Sequence, residues 1–312
     1  MKMLKIVSML TCLAAFTASA ATGQAPAPAA AAISVQQTTV EDPGHPPIMV
    51  AIFSPASAAP ARLIVISHGT GAGAISHVDT AKALAEAGFV VAAPMHPGDN
   101  FQDDSAVGTP QWLADRSRHL GKVIDFMFTR WEGHARLIPN RVGIFGFSAG
   151  ATTALVAIGG EPDLARVAPH CAKSPEFVCQ IMKAQAAAGA PPPQWVHDPR
   201  IAAAVIAAPG LGFTFGPSSL AHVRVPVQLW VGSADQTVPY ESNAALIKTQ
   251  LAPRSVDFHR VDGAVHLSFL APCGPESPPA VCQDKPGFDR AAFHRSFNTS
   301  VAGFFKEHLV GP

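Results

Sequence analysis

Gly146-Phe147-Ser148-Ala149-Gly150 places one hydroxyl between two glycines, with an apolar run on either side. A serine hydroxyl is a weak nucleophile unless a base takes its proton. G-x-S-x-G answers part of that need when a strand precedes it and a helix follows. The turn is then sharp, the oxygen stands clear of the backbone, and glycines remove side chains that would collide with neighbouring elements. The helix N-terminus adds partial positive charge where an oxyanion forms. The motif alone is weak, and its context is what gives it weight. Here "RVGIFGF" reads as a strand and "AGATTALVAI" as a helix.

A nucleophilic serine needs a histidine base, and the histidine needs an acid, in the order Ser…Asp…His for such a turn. Asp235 in "LWVGSADQTVP" follows the next-to-last expected strand, where an acid can project towards Ser148. Asp257 and Asp262 are its rivals. The first lies inside a strand and the second precedes Gly263 like a turn residue. His266 comes just after the last strand and is the expected base. His259 sits within that strand, and His294 and His308 fall on the closing helix. The backbone N–H of Ala149 is one expected oxyanion donor. The second is that of Thr70 in "SHGTGAG", with Gly71 as the alternative. That loop matches neither GxxxxGK[ST] nor GxGxxG, so a phosphate site is a poor reading, and His68 is expected only to hold its shape. No histidine pair has ligand spacing, so no metal or other cofactor is expected.

Alternating elements must position these groups. "PIMVAIFSP", "RLIVISHG", "FVVAAP", "RVGIFGF", "IAAAVIAAP", "VPVQLWVGS" and "SVDFHRV" read as strands, several apolar enough to be buried on both faces. His77 to Ala87, the segment around Leu113–Met127, the run after Ser148, "ESNAALIKTQL" and Phe288–Leu309 read as helices. That order predicts an α/β fold with a mostly parallel central sheet and helices on both faces. Residues 161–199 interrupt it, and an excursion of that length is expected to be a lid-like insertion.

The chain of 312 residues carries 22 Lys+Arg and 22 Asp+Glu. Zero formal charge gives no general attraction to nucleic acid or an anionic membrane. Lys2 and Lys5, the apolar stretch Ile6–Phe16 and Ala18-Ser19-Ala20 predict a signal peptide over 1–20, cleaved near Ala20 for export to the periplasm or beyond. No membrane-spanning segment is expected in the mature chain. Residues 21–46 read as an Ala/Pro-rich tether and N-terminal segment, and 47–312 as the catalytic domain. Removing Cys12 leaves four cysteines. Short loop closure favours Cys171–Cys179 and Cys273–Cys282 as disulfides. Phe147 and Leu267, beside the reactive groups, are expected to line an apolar substrate pocket, with Phe213, Phe215 and Trp195 as further candidates.

"SHGTGAG", "GFVVAAPMHPGDN", "GFSAG", "DPRIAAAVIAAPG", "VPVQLWVGSADQTVP" and "HLSFLAPC" occur in this order. Together they resemble the dienelactone hydrolase group of α/β-hydrolases similar to platelet-activating factor acetylhydrolases, over roughly residues 47–309. The resemblance implies an α/β-hydrolase core and ester hydrolysis, with Ser148 as nucleophile, Asp235 as acid, His266 as base, and Thr70 and Ala149 as oxyanion donors. The chain departs from that group at Ser148, where dienelactone hydrolases proper have Cys. It departs again at Phe147, Ala151 and Met95, where many relatives have His, Gly and Asp. A small-molecule ester is the expected substrate. A peptidase of the same fold, or a binding protein on a hydrolase scaffold, are the competing readings.

Overall fold

Strand runs that are apolar at every position need cover on both faces, and the fold supplies it. In the computed structural model, residues 32–109, 111–182, 193–251 and 256–310 are described, and all fall in one compact unit. Eight strands form one sheet: β1 (Ile33–Val40), β2 (Ile48–Pro55), β3 (Leu63–Ser67), β4 (Val90–Met95), β5 (Val142–Phe147), β6 (Ile201–Ala207), β7 (Val227–Gly232) and β8 (Val256–Val261). Their spatial order is β1-β2-β4-β3-β5-β6-β7-β8. β1, β2 and β4 pair antiparallel, and every other pairing is parallel. β3 and β5, at the centre, are buried at every residue.

Helices cover both faces. On one side, α2 (Trp112–Thr129) turns Leu120, Val123, Ile124 and Met127 onto a core that includes Val65, Ile144 and Leu229. α3 (Ala149–Ala157) is buried at every residue, as a helix apolar all round must be. On the other side, α1 (Val78–Glu86) and α7 (Arg290–Phe305) cover Phe53, Ile64, Phe145 and Val205. α1 stops where Gly88 adopts φ +100°, a left-handed conformation that costs glycine little. α7 starts at Asp289, whose carboxylate accepts the N–H of Ala292 at 2.9 Å. α6 (Ala244–Leu251) packs beside β7.

One feature differs from the reading of the sequence. The sheet begins at Ile33, upstream of the domain start expected at residue 47. β1 pairs with β2 along its whole length, so its ladder bonds belong to the domain and the expected tether segment 21–46 is not all tether. Its residues after Val35 are polar up to Val40, so this edge strand gave little periodic signal. The insertion 161–199 lies between α3 and β6. It holds two short helices, α4 (Val167–Cys171) and α5 (Phe177–Ile181), joined by the Cys171–Cys179 disulfide. Its Ala-rich stretch, the signal peptide and the start of the Ala/Pro tether lie outside the described residues. No helix among the described residues is long and apolar enough to cross a membrane.

Candidate active site

Ser148 occupies the joint between β5 and α3 with φ 56° and ψ −119°. A non-glycine residue there is strained by about 1–3 kcal/mol, which the surroundings must hold in place. They do so through the backbone. The Ser148 N–H donates to Ala207 O at 3.0 Å, while its carbonyl accepts from Ala151, Thr152 and Gly210. The flanking glycines are steric requirements. A Cβ at Gly146 would lie 2.2 Å from Gly150 O, and one at Gly150 would lie 2.0 Å from Ser67 O.

The structure brings Ser148, His266 and Asp235 together from three separate strand ends. His266 Nε2 is 3.0 Å from Ser148 Oγ, and His266 Nδ1 is 2.8 Å from Asp235 Oδ2. A carboxylate only accepts, so Nδ1 carries the proton and Nε2 is free to accept from the serine. The second Asp235 oxygen accepts the N–H groups of Thr237 at 2.9 Å and Val238 at 3.0 Å. Those bonds orient the carboxylate. Asp235 and His266 are both buried. Asp257 and Asp262 stand elsewhere, bonded to Gln228 and Ser233 respectively. His294, on α7, is a packing residue. It is buried between Asp79 Oδ2 at 2.6 Å and Ser268 O at 2.9 Å, bracing the turn that carries His266.

Thr70 follows β3 on a loop that passes directly over the serine: a Cβ on Gly69 would sit 3.3 Å from Ser148 Cβ. Neither the Thr70 N–H nor that of Ala149 takes a protein acceptor among the described residues. Both therefore remain available to an incoming oxygen. The loop is held from below by a constellation that no short motif signals. Asp99 Oδ1 accepts the Gly71 N–H at 2.7 Å. Asp99 Oδ2 accepts from Trp112 Nε1 and from the Arg116 guanidinium, both at 2.5 Å. Arg116 also donates to the carbonyl of His68 and to Thr153 Oγ1 on α3. The His68 ring accepts the His96 N–H at 3.1 Å, so its other nitrogen donates to Gly69 O at 2.7 Å. Burial, and then the Arg116 charge, push His68 and His96 well below the ordinary histidine range, so both rings are neutral. The sequence signal was thin: Asp99 within "HPGDN", and an arginine on the otherwise apolar face of α2.

Phe147 and Phe215 do not sit on a pocket wall. Phe147 is buried under the imidazole, 4.8 Å from His266 and 5.3 Å from His77 between ring centres. Its alternation along β5 points it into the sheet face rather than the cleft. Phe215 belongs to the main core. Phe213 packs with Ala149, Trp112, Val178 and Met182, and Trp195 lies against that cluster. That cluster docks the described part of the insertion beside the serine. Leu267 is half-buried next to His266. Glu176 of the insertion is tied to His170 at 2.8 Å and Asn243 at 2.9 Å, which anchors the segment to the body. Both expected disulfides, Cys171–Cys179 and Cys273–Cys282, are formed.

A sequence profile of the dienelactone hydrolase family matches residues 48–190. Among solved structures, the chain is similar to the esterase Pf2001 of Pyrococcus furiosus. The TM-score is 0.54 at 12% identity, over 89% of this chain and 94% of that one. At that identity the likeness is one of fold. No curated protein matches the chain.

Proposed function

We propose that the chain, which has the α/β-hydrolase fold, is an exported serine hydrolase that cleaves carboxylic esters through an acyl-enzyme. The observation that carries this reading is the hydrogen-bonded line from Ser148 through His266 to Asp235. His266 Nε2 takes the proton of Ser148 as Oγ attacks the ester carbonyl carbon. Asp235 keeps the imidazole in the required tautomer and stabilises its cationic form. The carbonyl oxygen becomes an oxyanion and accepts from Thr70 N–H and Ala149 N–H, each worth about 3–4 kcal/mol in the transition state. His266 then protonates the leaving alkoxide, and the C–O ester bond breaks. Water, deprotonated by His266, attacks the acyl-enzyme, releasing the acid and restoring Ser148.

Two disulfides support action outside a reducing compartment. Glu176 of the insertion is already bonded to His170 and Asn243, so it is not free to grip a peptide amine. Purified protein should hydrolyse p-nitrophenyl acetate, and a fluorophosphonate should label Ser148. Ser148→Ala should lose both while keeping the wild-type melting temperature. A folded Ser148→Ala protein that still turns over the ester would refute the assignment.

A further inference from the structure

We propose that the groove between the β2–β4 rim and the loop after β3 is a subsite for one hydrocarbon arm of the ester. Its floor is Met49 and Met95, register partners across the β2/β4 ladder. Its walls are Ala74 and Ile75 on one side and Phe101 and Gln102 on the other. None of its lining residues is Lys, Arg, Asp or Glu. Ile75 is 62% exposed, Phe101 69% and Met49 47%, and these are three of six strongly exposed large apolar side chains among the described residues. Scattered singly they would need no explanation. Gathered around one concavity, they expose an apolar surface that a ligand would cover.

The groove and the reactive centre share the loop after β3, and that shared loop points to the occupant. Phe101 lies over Gly73, where a Cβ would come 3.2 Å from its ring and 3.9 Å from the Met95 sulfur. The Phe101 N–H donates to Ala72 O at 3.0 Å, and the Gly71 N–H donates to Asp99 two residues before Phe101. An Ala72–Gly69 hydrogen bond then turns the chain back to Gly69, above Ser148. One short, doubly tied loop therefore carries an oxyanion donor at one end and a groove wall at the other. An ester held at that oxyanion donor by its carbonyl would have this groove on the far flank of the same loop. The volume is about 150 Å³. Sites that enclose a drug-sized ligand hold about 300–1,000 Å³, so this one takes a single short arm. Methionine at the floor suits flexible alkyl chains, since its side chain adapts to irregular shapes.

This inference rests on the esterase reading, and the test separates the two. Two ester series are compared: p-nitrophenyl acetate to hexanoate, which lengthens the acyl arm, and methyl to hexyl acetate, which lengthens the alcohol arm. Lengthening one arm should raise kcat/KM at least tenfold in wild type, and the responding series says which arm enters. Phe101→Ser and Ile75→Ser alter exposed side chains and keep the backbone bonds. They should abolish that gain while leaving the shortest ester within about twofold. Equal loss at all lengths, or no change, would overturn the subsite. An effect confined to substrate above its aggregation threshold would overturn it in favour of surface docking. Titration calorimetry of Ser148→Ala with 2-octanone and 2-butanone reads the groove without turnover. The longer ketone should bind at least tenfold tighter, and Phe101→Ser should erase the difference. Equal binding of the two ketones sinks the subsite whether or not the protein is an esterase.

Discussion

Arg116 and Asp99 form an ion pair at 2.5 Å with both side chains 1% exposed, directly beneath the loop that carries Thr70. Neither charge meets water, so each depends on the other. The guanidinium fork is fully engaged: it reaches Asp99, the His68 carbonyl, Ser67 and Thr153. It thereby joins α2, the loop after β3 and the helix behind the nucleophile. Arg116→Met should strand a buried carboxylate and cost about 3–5 kcal/mol of stability, read as a fall in melting temperature. Arg116→Lys keeps the charge but loses the planar fork, which a lysine cannot reproduce. If the loop's N–H acts on the oxyanion as proposed, kcat should fall with KM nearly unchanged. An Arg116→Lys enzyme with wild-type kcat would show that the pair serves stability alone.

Asp235 touches His266 with one oxygen and two backbone N–H groups with the other. Asparagine keeps the shape but can present an N–H to Nδ1, which favours the imidazole tautomer that cannot accept from Ser148. Asp235→Asn should therefore fold normally and lose up to about 10⁴-fold in kcat. Neither Asp257→Asn nor Asp262→Asn should change kcat by more than about twofold. If Asp257→Asn proves the damaging variant, the acid has been misassigned.

Some of this was legible because the signals were local and some was hidden because they were not. β3, β5, β6 and β7 announce themselves as short apolar runs, since both faces are covered. The residues of the Ser148–His266–Asp235 line were readable because each sits at a strand end, and strand ends in a parallel sheet converge on one rim. β1 escaped because its sequence, ISVQQTTV, is largely polar and exposed at the sheet edge. The Asp99–Arg116 pair escaped because a charged residue on a helix normally means solvent. Nothing along the chain reveals that these two meet inside. Phe147 was misplaced for a related reason: adjacency to Ser148 in sequence is not adjacency to the cleft, because alternate strand residues face opposite ways.

Gly150 offers a steric test of the nucleophile turn. Its α-carbon faces the carbonyl oxygens of Ser67 and His68, which a Cβ would meet at 2.0 and 2.6 Å. Both are backbone atoms of the most buried strand end, so neither can swing aside. Gly150→Ala should displace α3 from β3 and abolish turnover, with a lower melting temperature. Gly121→Ala is the matched control, since a Cβ there meets nothing within 4 Å. At this half-buried but unobstructed helical position that change should stabilise by about 0.5–1 kcal/mol. Normal kcat in Gly150→Ala would show that the turn tolerates more movement than the backbone contacts allow.

Buried histidines set the acid limit of the fold. His77, packed edge-on against Phe145 and Phe147, is lowered by burial from 6.5 to about 4, with Asp79 opposing the shift and His294 adding to it. His119 is lowered to about 3, by burial and then by Arg118 and Arg116. Both rings are neutral in the fold and take a proton once unfolded near pH 6.5. Below that pH the unfolded chain binds more protons, so stability falls as pH drops from about 6.5 towards 4 and 3, and levels off beneath the folded values. For His77 alone the loss by pH 5 is about 2 kcal/mol, at 1.4 kcal/mol per pH unit. Chemical denaturation between pH 7.5 and 4.5 should show the decline. His77→Leu, which cannot take a proton, should flatten it by roughly that amount even if its stability at pH 7.5 is lower. An unchanged slope in His77→Leu would mean that the acid sensitivity arises elsewhere.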